Sequence, residues 1–365
     1  MNYIPIAKPY IGKEESDLVL ETIRDNWITG GKKVEEFEKR IAKLTESKYA
    51  IACSNGTVAI YMALVAMGIK QGDEVIVPDF TFIASANACI LAGANPVFCD
   101  IDPKTYNIDV KSAEKVLSSK TKAIMPVHIY GQSVDMQSVL SFALEHDLMV
   151  IEDAAQGIGV SYKGHPVGAL GNVGTMSFYS DKTITTSEGG MVLTNNAEIA
   201  DKALMLKHQG RRKRGIYLHE SIGFNFRLTD MQAAVGLAQL DKLDFIIKRK
   251  KEIEKRYRDN LKNAYSISLP YIDTNGFNVP FRINILVNDP QKLSVSLSSK
   301  GIASMRFFYP LHKQPCYEYL KLNDRYFPNS IWAYEHGLSL PTWVELTNDQ
   351  IDYICEVVSY FVARY

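Results

Sequence analysis

Apolar positions near the start of the chain keep a helical rhythm and then abandon it. From Glu15 to Asn26, and again from Lys33 to Leu44, they recur every three or four residues, which predicts two short amphipathic helices separated by the turn signal Thr29-Gly30-Gly31. Unbroken apolar runs follow. Tyr49–Cys53, Glu74–Pro78, Pro96–Cys99, Ala123–Val127 and Leu148–Glu152 predict buried strands, and Thr175–Phe178 and Gly190–Thr194 close the series. Helix-like stretches such as Thr57–Met67 and Asp135–His146 stand between them. Strands alternating with helices predict an α/β fold around a largely parallel sheet.

One helical pattern then runs from Thr229 to Leu261, and its second half carries seven basic and two acidic residues between Lys248 and Arg258. Such a run is either a solvated helix face or a polyanion site. After Pro270 the texture is strand-like and irregular, until a final helix from Asp349 that opens on the capping box Thr347/Gln350. A boundary near 245–265 is expected, which gives a large domain over 1–245 and a smaller C-terminal α+β domain over 246–365.

Composition narrows the function classes. The chain has 365 residues, with 41 Lys+Arg balancing 41 Asp+Glu. No basic excess points to nucleic acid or to a membrane surface. No run of eighteen apolar residues and no signal-like N-terminus is present, and the five cysteines form no CxxC pair. A soluble cytoplasmic enzyme with free thiols is expected. None of the seven histidines sits in a zinc-binding spacing, so no metal is expected. Gly157-x-Gly159 follows a strand, but Tyr162 stands where a dinucleotide fingerprint needs its third glycine. Cys53 at a strand end reads as packing rather than as a nucleophile.

Three features carry chemistry. The strand Leu148–Glu152 delivers Asp153 at its carboxyl end, where ligands collect in parallel sheets, and the small residues Ala154-Ala155 beside it leave room for a flat ring. Ser54-Asn55-Gly56-Thr57 ends one strand and opens a helix, so it is either a plain N-cap or an anion site. Lys182 sits in a polar turn between two strands, ahead of Glu188-Gly189-Gly190. A strand-end carboxylate, a helix start and a loop lysine together meet the needs of pyridoxal 5′-phosphate (PLP).

The chain resembles the DegT-type PLP-dependent nucleotide-sugar aminotransferases, and within them the GDP-perosamine synthases. The blocks that carry the resemblance run nearly end to end. They include Asn26–Gly31, Ser54–Thr57, Gly72–Pro78, Thr81–Asn87, Asp100–Asp102, Pro126–Gly131, Glu152–Ala155, Gly223–Arg227 and Phe308–His312. The resemblance implies an aspartate-aminotransferase-like large domain (PLP fold type I) with a mixed, mostly parallel sheet. It also implies that Lys182 carries the cofactor and moves the substrate proton, and that Asp153 pairs with the ring nitrogen. Phe82 would lie against one ring face, although a core aromatic is the other reading of that residue, and Gln156 would lie near the phenolic oxygen. Gly56, Thr57 and Ser177 would hold the phosphate, and Asn225 would reach the same phosphate from the partner subunit of a homodimer, unless it serves only a local turn. Tyr309 and His312 would line the sugar pocket. The implied reaction moves an amino group from L-glutamate to a nucleotide-linked 4-keto-6-deoxy sugar, for surface polysaccharide biosynthesis. Two other readings stand beside it: a smaller phosphorylated ketone as acceptor, and a non-catalytic regulator on the same fold.

Three departures from the family fall toward the acceptor. Asp181 stands where relatives often have Asn, Met305-Arg306 stands where many have Arg-Pro, and Val279-Pro280-Phe281-Arg282-Ile283 replaces a Trp-Met-Tyr-like stretch. An arginine moved one place along a strand is expected to face the other way. Gln209–Tyr217 is unusually basic, which suits a solvated loop or contacts with acceptor phosphates.

Overall fold

Seven strands build the main sheet: β1 (Tyr49–Cys53), β2 (Glu74–Pro78), β3 (Asn95–Cys99), β4 (Thr121–Ile124), β5 (Met149–Asp153), β6 (Val173–Ser177) and β7 (Gly190–Thr194). The computed structural model describes residues 3–212, 215–264 and 266–363. The strands lie in the order β1-β7-β6-β5-β4-β2-β3. β2 to β6 run parallel, and β7 alone runs against its neighbours β1 and β6. The expected mixed, mostly parallel α/β sheet is therefore present. Its strands read as continuous apolar runs because helices cover both faces, and Val75, Ile76, Val77 and Ile151 are fully buried.

The topology decides where chemistry can happen. β1, β5 and β6 point the same way, so Cys53, Asp153 and Ser177 all end on one edge of the sheet. The helix Gly56–Ala66 starts from that edge, with Asn55 as N-cap accepting from the Val58 amide at 2.9 Å. A second helix, Ala84–Leu91, was not among the expected elements. Ser85, Ala86, Ala88 and Cys89 are all buried along it, so it shows none of the polar–apolar alternation that reveals a surface helix.

The long pattern at 229–261 divides into two helices, Asp230–Asp241 and Leu243–Leu261. They break at Lys242, whose backbone leaves helical geometry (φ −101°, ψ 0°) while its ammonium pairs with buried Glu15 at 2.5 Å. The second helix joins two cores. Leu243 and Ile246 pack in the core of the main sheet, whereas Ile253, Tyr257 and Leu261 pack with the C-terminal elements. There a small antiparallel sheet in the order Ile283–Leu286, Gly337–Leu340, Met305–Arg306 is flanked by Pro290–Ser299 and Asn348–Val362. The last of these helices opens on the Thr347/Gln350 capping box. The N-terminal segment also reaches this region, through a bridge from Ile4 to Ile302.

The basic run on Leu243–Leu261 is divided: Lys248 and Lys255 are solvent-exposed, whereas its arginines make structural bonds. Arg249 donates to the carbonyls of Val344 (3.2 Å) and Leu346 (2.6 Å), and Arg256 forms a two-pronged pair with Asp352, one prong at 2.7 Å. Arg258 donates to the Pro270 carbonyl at 3.0 Å. These bonds tie the bridging helix to the C-terminal elements.

Lys250 is 5% exposed, and burial pulls its ammonium from the ordinary 10.5 down to about 8. Between those values the unfolded chain holds a proton that the native chain has released, so Lys250 makes stability rise with pH across that window. Denaturant unfolding of Lys250→Met against wild type at pH 8 and pH 10 tests this. The wild type should gain on the order of 2 kcal/mol relative to the variant over that interval. Parallel pH curves would show that the ammonium is solvated.

Candidate active site

The carboxyl edge of the main sheet opens into a cavity of about 410 Å³. Asp153 ends β5 inside it and is 4% exposed. Its Oδ2 accepts from the Ser85 hydroxyl at 2.7 Å and its Oδ1 from the Ala155 amide at 3.1 Å. The neighbouring carboxylate, Glu152, is structural. It accepts the amides of Gly168, Leu170 and Gly171 at 2.6–2.8 Å and faces His128 Nε2 at 3.1 Å. Because His128 Nδ1 accepts from the Val134 amide at 3.1 Å, its Nε2 carries the proton and donates to Glu152.

Lys182 enters the same cavity from the loop that joins β6 to β7. Its Nζ stands 4.6 Å from the centre of the Phe281 ring. Burial lowers its pKa, against the opposing pull of Asp181 and Asp153, with Arg282 adding to the lowering. A neutral amine therefore comes more easily here than on the surface.

Beside these two, the helix Gly56–Ala66 presents its first amides to the cavity next to Ser177. The approach is too close for side chains. A Cβ at Gly56 would stand 2.9 Å from Ser177 Cβ, and one at Gly190 would stand 2.2 Å from the Asn55 carbonyl oxygen. This cradle fits the phosphate of PLP. Phe82 leaves 58% of its surface open against the cavity, so it is not a core aromatic, and it meets Phe308 edge-on at 6.2 Å. Gln156 is anchored by its Oε1, which accepts from the Tyr130 amide at 2.6 Å. A flat aromatic ring has an open phenyl face, a carboxylate, an amide side chain and an amine around it. The residues present fit the cofactor.

Residues 9–359 match the DegT/DnrJ/EryC1/StrS aminotransferase family. The chain belongs to that family. It is 39% identical to the GDP-perosamine synthase of Escherichia coli O157:H7, with 100% of both chains covered. It is 40% identical to that of Caulobacter vibrioides, over 96% of this chain and 95% of that one. Among solved structures it is similar to S. venezuelae DesV in complex with a ketimine intermediate (TM-score 0.95, 29% identity, 100% of both chains). The fold is thus that of PLP fold type I, the chain is an aminotransferase, and PLP is its cofactor.

Of the ten residues expected at the site, Lys182, Asp153, Gly56, Thr57, Phe82, Gln156 and Ser177 share the cavity. Two do not. His312 is buried away from it, with Nδ1 and backbone amide both on Asp79 (2.7 Å each), Nε2 at 3.2 Å from Asp324 and its ring stacked on Phe327. It clamps the chain to the end of β2. Tyr309 packs edge-on against Tyr334 at 5.0 Å, outside the cavity lining. The tenth, Asn225, is exposed and bridges to His208 on the outer surface. The shifted Arg306 stacks over Tyr334 and donates to its carbonyl at 2.6 Å, leaving Met305 45% exposed. In the basic loop, Arg212 pairs with Glu220 at 2.7 Å and with Asp201, while Lys213 and Arg214 lie outside the described residues. Cys53 is buried, and burial pushes its thiol up to about 12, as packing requires.

Sequence reading missed Ser85 as a site residue, and it placed Phe281 and Arg282 only in a stretch that falls toward the acceptor. Ser85 lies within the quoted Thr81–Asn87 block, three residues beyond Phe82, so the signal was present. Ser85→Ala removes a donor from a buried carboxylate, and a loss of about 10-fold in PLP affinity is expected. Absorbance titration of the apoprotein with PLP measures it. Wild-type affinity would remove Ser85 from the groups that position Asp153.

Proposed function

We propose that this aminotransferase moves an amino group from L-glutamate to the keto carbon of a nucleotide-linked 4-keto-6-deoxy hexose, GDP being the nucleotide. The observation that carries the reading is the meeting of Lys182 and Asp153 in one cavity with a phosphate cradle beside them. Full-length similarity to two GDP-perosamine synthases supports the acceptor class.

Each residue has a task that its position allows. Gly56, Thr57 and Ser177 would hold the cofactor phosphate, Phe82 and Gln156 would hold its ring, and Asp153 would hold the ring-nitrogen proton. When bound, PLP supplies an electron sink for charge that develops on the substrate carbon. Lys182 Nζ takes the proton from Cα of the amino donor and later delivers one to the former carbonyl carbon of the sugar. Burial favours the neutral amine that the first of these steps needs. A paired Lys182 and Asp153 favours catalysis over a purely regulatory role.

The active unit in this reading is a homodimer in the cytoplasm. Asn225 is exposed, and the segment before it leaves Tyr217, Leu218 and Ile222 at 84%, 65% and 83% exposure. A partner would cover those apolar groups and receive Asn225 at its own site. All five cysteines are free thiols, in keeping with a reducing compartment.

Two outcomes test the reading. The amino-loaded enzyme should convert GDP-4-keto-6-deoxymannose, followed by mass spectrometry, whereas turnover only of small keto phosphates would overturn the acceptor class. Lys182→Ala and Asn225→Ala proteins, each inactive alone, should regain about a quarter of wild-type activity when mixed and allowed to exchange subunits, because one site of each mixed dimer is intact. No recovery would place Asn225 in the site of its own subunit.

A further inference from the structure

Two of the three family departures meet beside the catalytic lysine. Arg282 Nη2 donates to Asp181 Oδ2 at 2.5 Å, and the Arg282 side chain is only 5% exposed. Both residues border the active-site cavity. The pair is incompletely satisfied, since Arg282 Nη1 and Asp181 Oδ1 are buried and neither has a hydrogen-bond partner. A buried guanidinium N–H without an acceptor costs about 1–3 kcal/mol, so a fold that keeps one has a use for it.

Position says what the use is. The guanidinium carbon lies 4.5 Å from the centre of the Phe281 ring, and Lys182 Nζ lies 4.6 Å from the same centre. Arg282 and Lys182 therefore flank one ring and border one cavity, so a ligand held by Arg282 shares the space that Lys182 reaches. Burial and the Arg282 charge both lower the pKa of Lys182 and of Lys250, against the pull of Asp181. A guanidinium edge binds carboxylates well. A sugar nucleotide carries its phosphates several bonds from the keto carbon. The α-carboxylate of an amino acid is bonded directly to the carbon that loses its proton.

The geometry points to Arg282 as the residue that holds the α-carboxylate of the amino donor, with Asp181 as the positioning residue that fixes the guanidinium. This rests on the amino-transfer reading and adds the group that selects α-amino acids over plain amines. Asp181 takes Nη2, which leaves Nη1 without a protein acceptor. The Arg282 side chain is only 5% exposed, and low exposure strengthens a charge-assisted bond.

The test uses PLP-loaded enzyme and two measurements. 2-Methyl-L-glutamate cannot lose a Cα proton, so its dissociation constant is read from the cofactor absorbance without turnover. The second measurement compares the rates of cofactor amination by L-glutamate and by L-isoglutamine, whose α-carboxylate is an amide. Arg282→Gln should raise the dissociation constant roughly 10- to 100-fold and shrink the preference for L-glutamate by a similar factor. Arg282→Lys should recover part of both. Should Arg282→Gln fold poorly with Asp181 left unpaired, the double variant D181N/R282Q, which buries no lone charge, is expected to show the same losses. A dissociation constant and preference equal to wild type in a folded, PLP-loaded variant would overturn the assignment while leaving amino transfer standing. A wild-type enzyme that no amino acid can aminate would take both readings down.

Discussion

A buried carboxylate at the end of β5 and a partly buried amine on the loop after β6 set the terms for the rest of the structure. Each charge is costly away from bulk water, and the protein stabilises them separately instead of letting them cancel. Asp153 is bound by the Ser85 hydroxyl and the Ala155 amide, and Lys182 stands by the Phe281 ring. Desolvation outweighs the two carboxylates acting on Lys182, which leaves an amine able to trade protons. The arrangement depends on sheet order. β5 and β6 are parallel neighbours, paired at Asp153 and Thr175, so the carboxylate and the lysine loop emerge from adjacent strand ends.

The same sheet order explains what could be read in advance. Strands buried on both faces leave plain apolar runs, and all seven were legible to within two or three residues. Asp153, Gly56 and Lys182 were legible because their chemistry depends on position at strand and helix ends. Other parts were not. Ala84–Leu91 buries Ser85, Ala86, Ala88 and Cys89 but exposes the apolar Ile90 and Leu91, so polarity does not mark its faces and it has no periodic signature. The break at Lys242 arises from a contact with Glu15, 227 positions away in the chain and invisible to local pattern. His312 sits in a motif that resemblance assigns to the sugar pocket, yet Asp79 draws it into a buried clamp.

Residues beyond the main sheet complete the cavity. Phe281 and Arg282 lie just before the first strand of the small sheet, and they close over Lys182 from that side. Asp181, next to the lysine, pairs with Arg282 across 101 positions of sequence. Each looked like an isolated departure from the family in the linear sequence. In the folded chain one supplies the charge that the other requires.

The central claim is that Lys182 is the amine that bonds to PLP. Borohydride reduction of the PLP-loaded protein, followed by proteolysis and mass spectrometry, reads that bond directly. The account predicts a single pyridoxyl adduct, on the peptide that contains Lys182. An adduct on Lys250, the buried amine of this cluster, or no adduct at all, would contradict it.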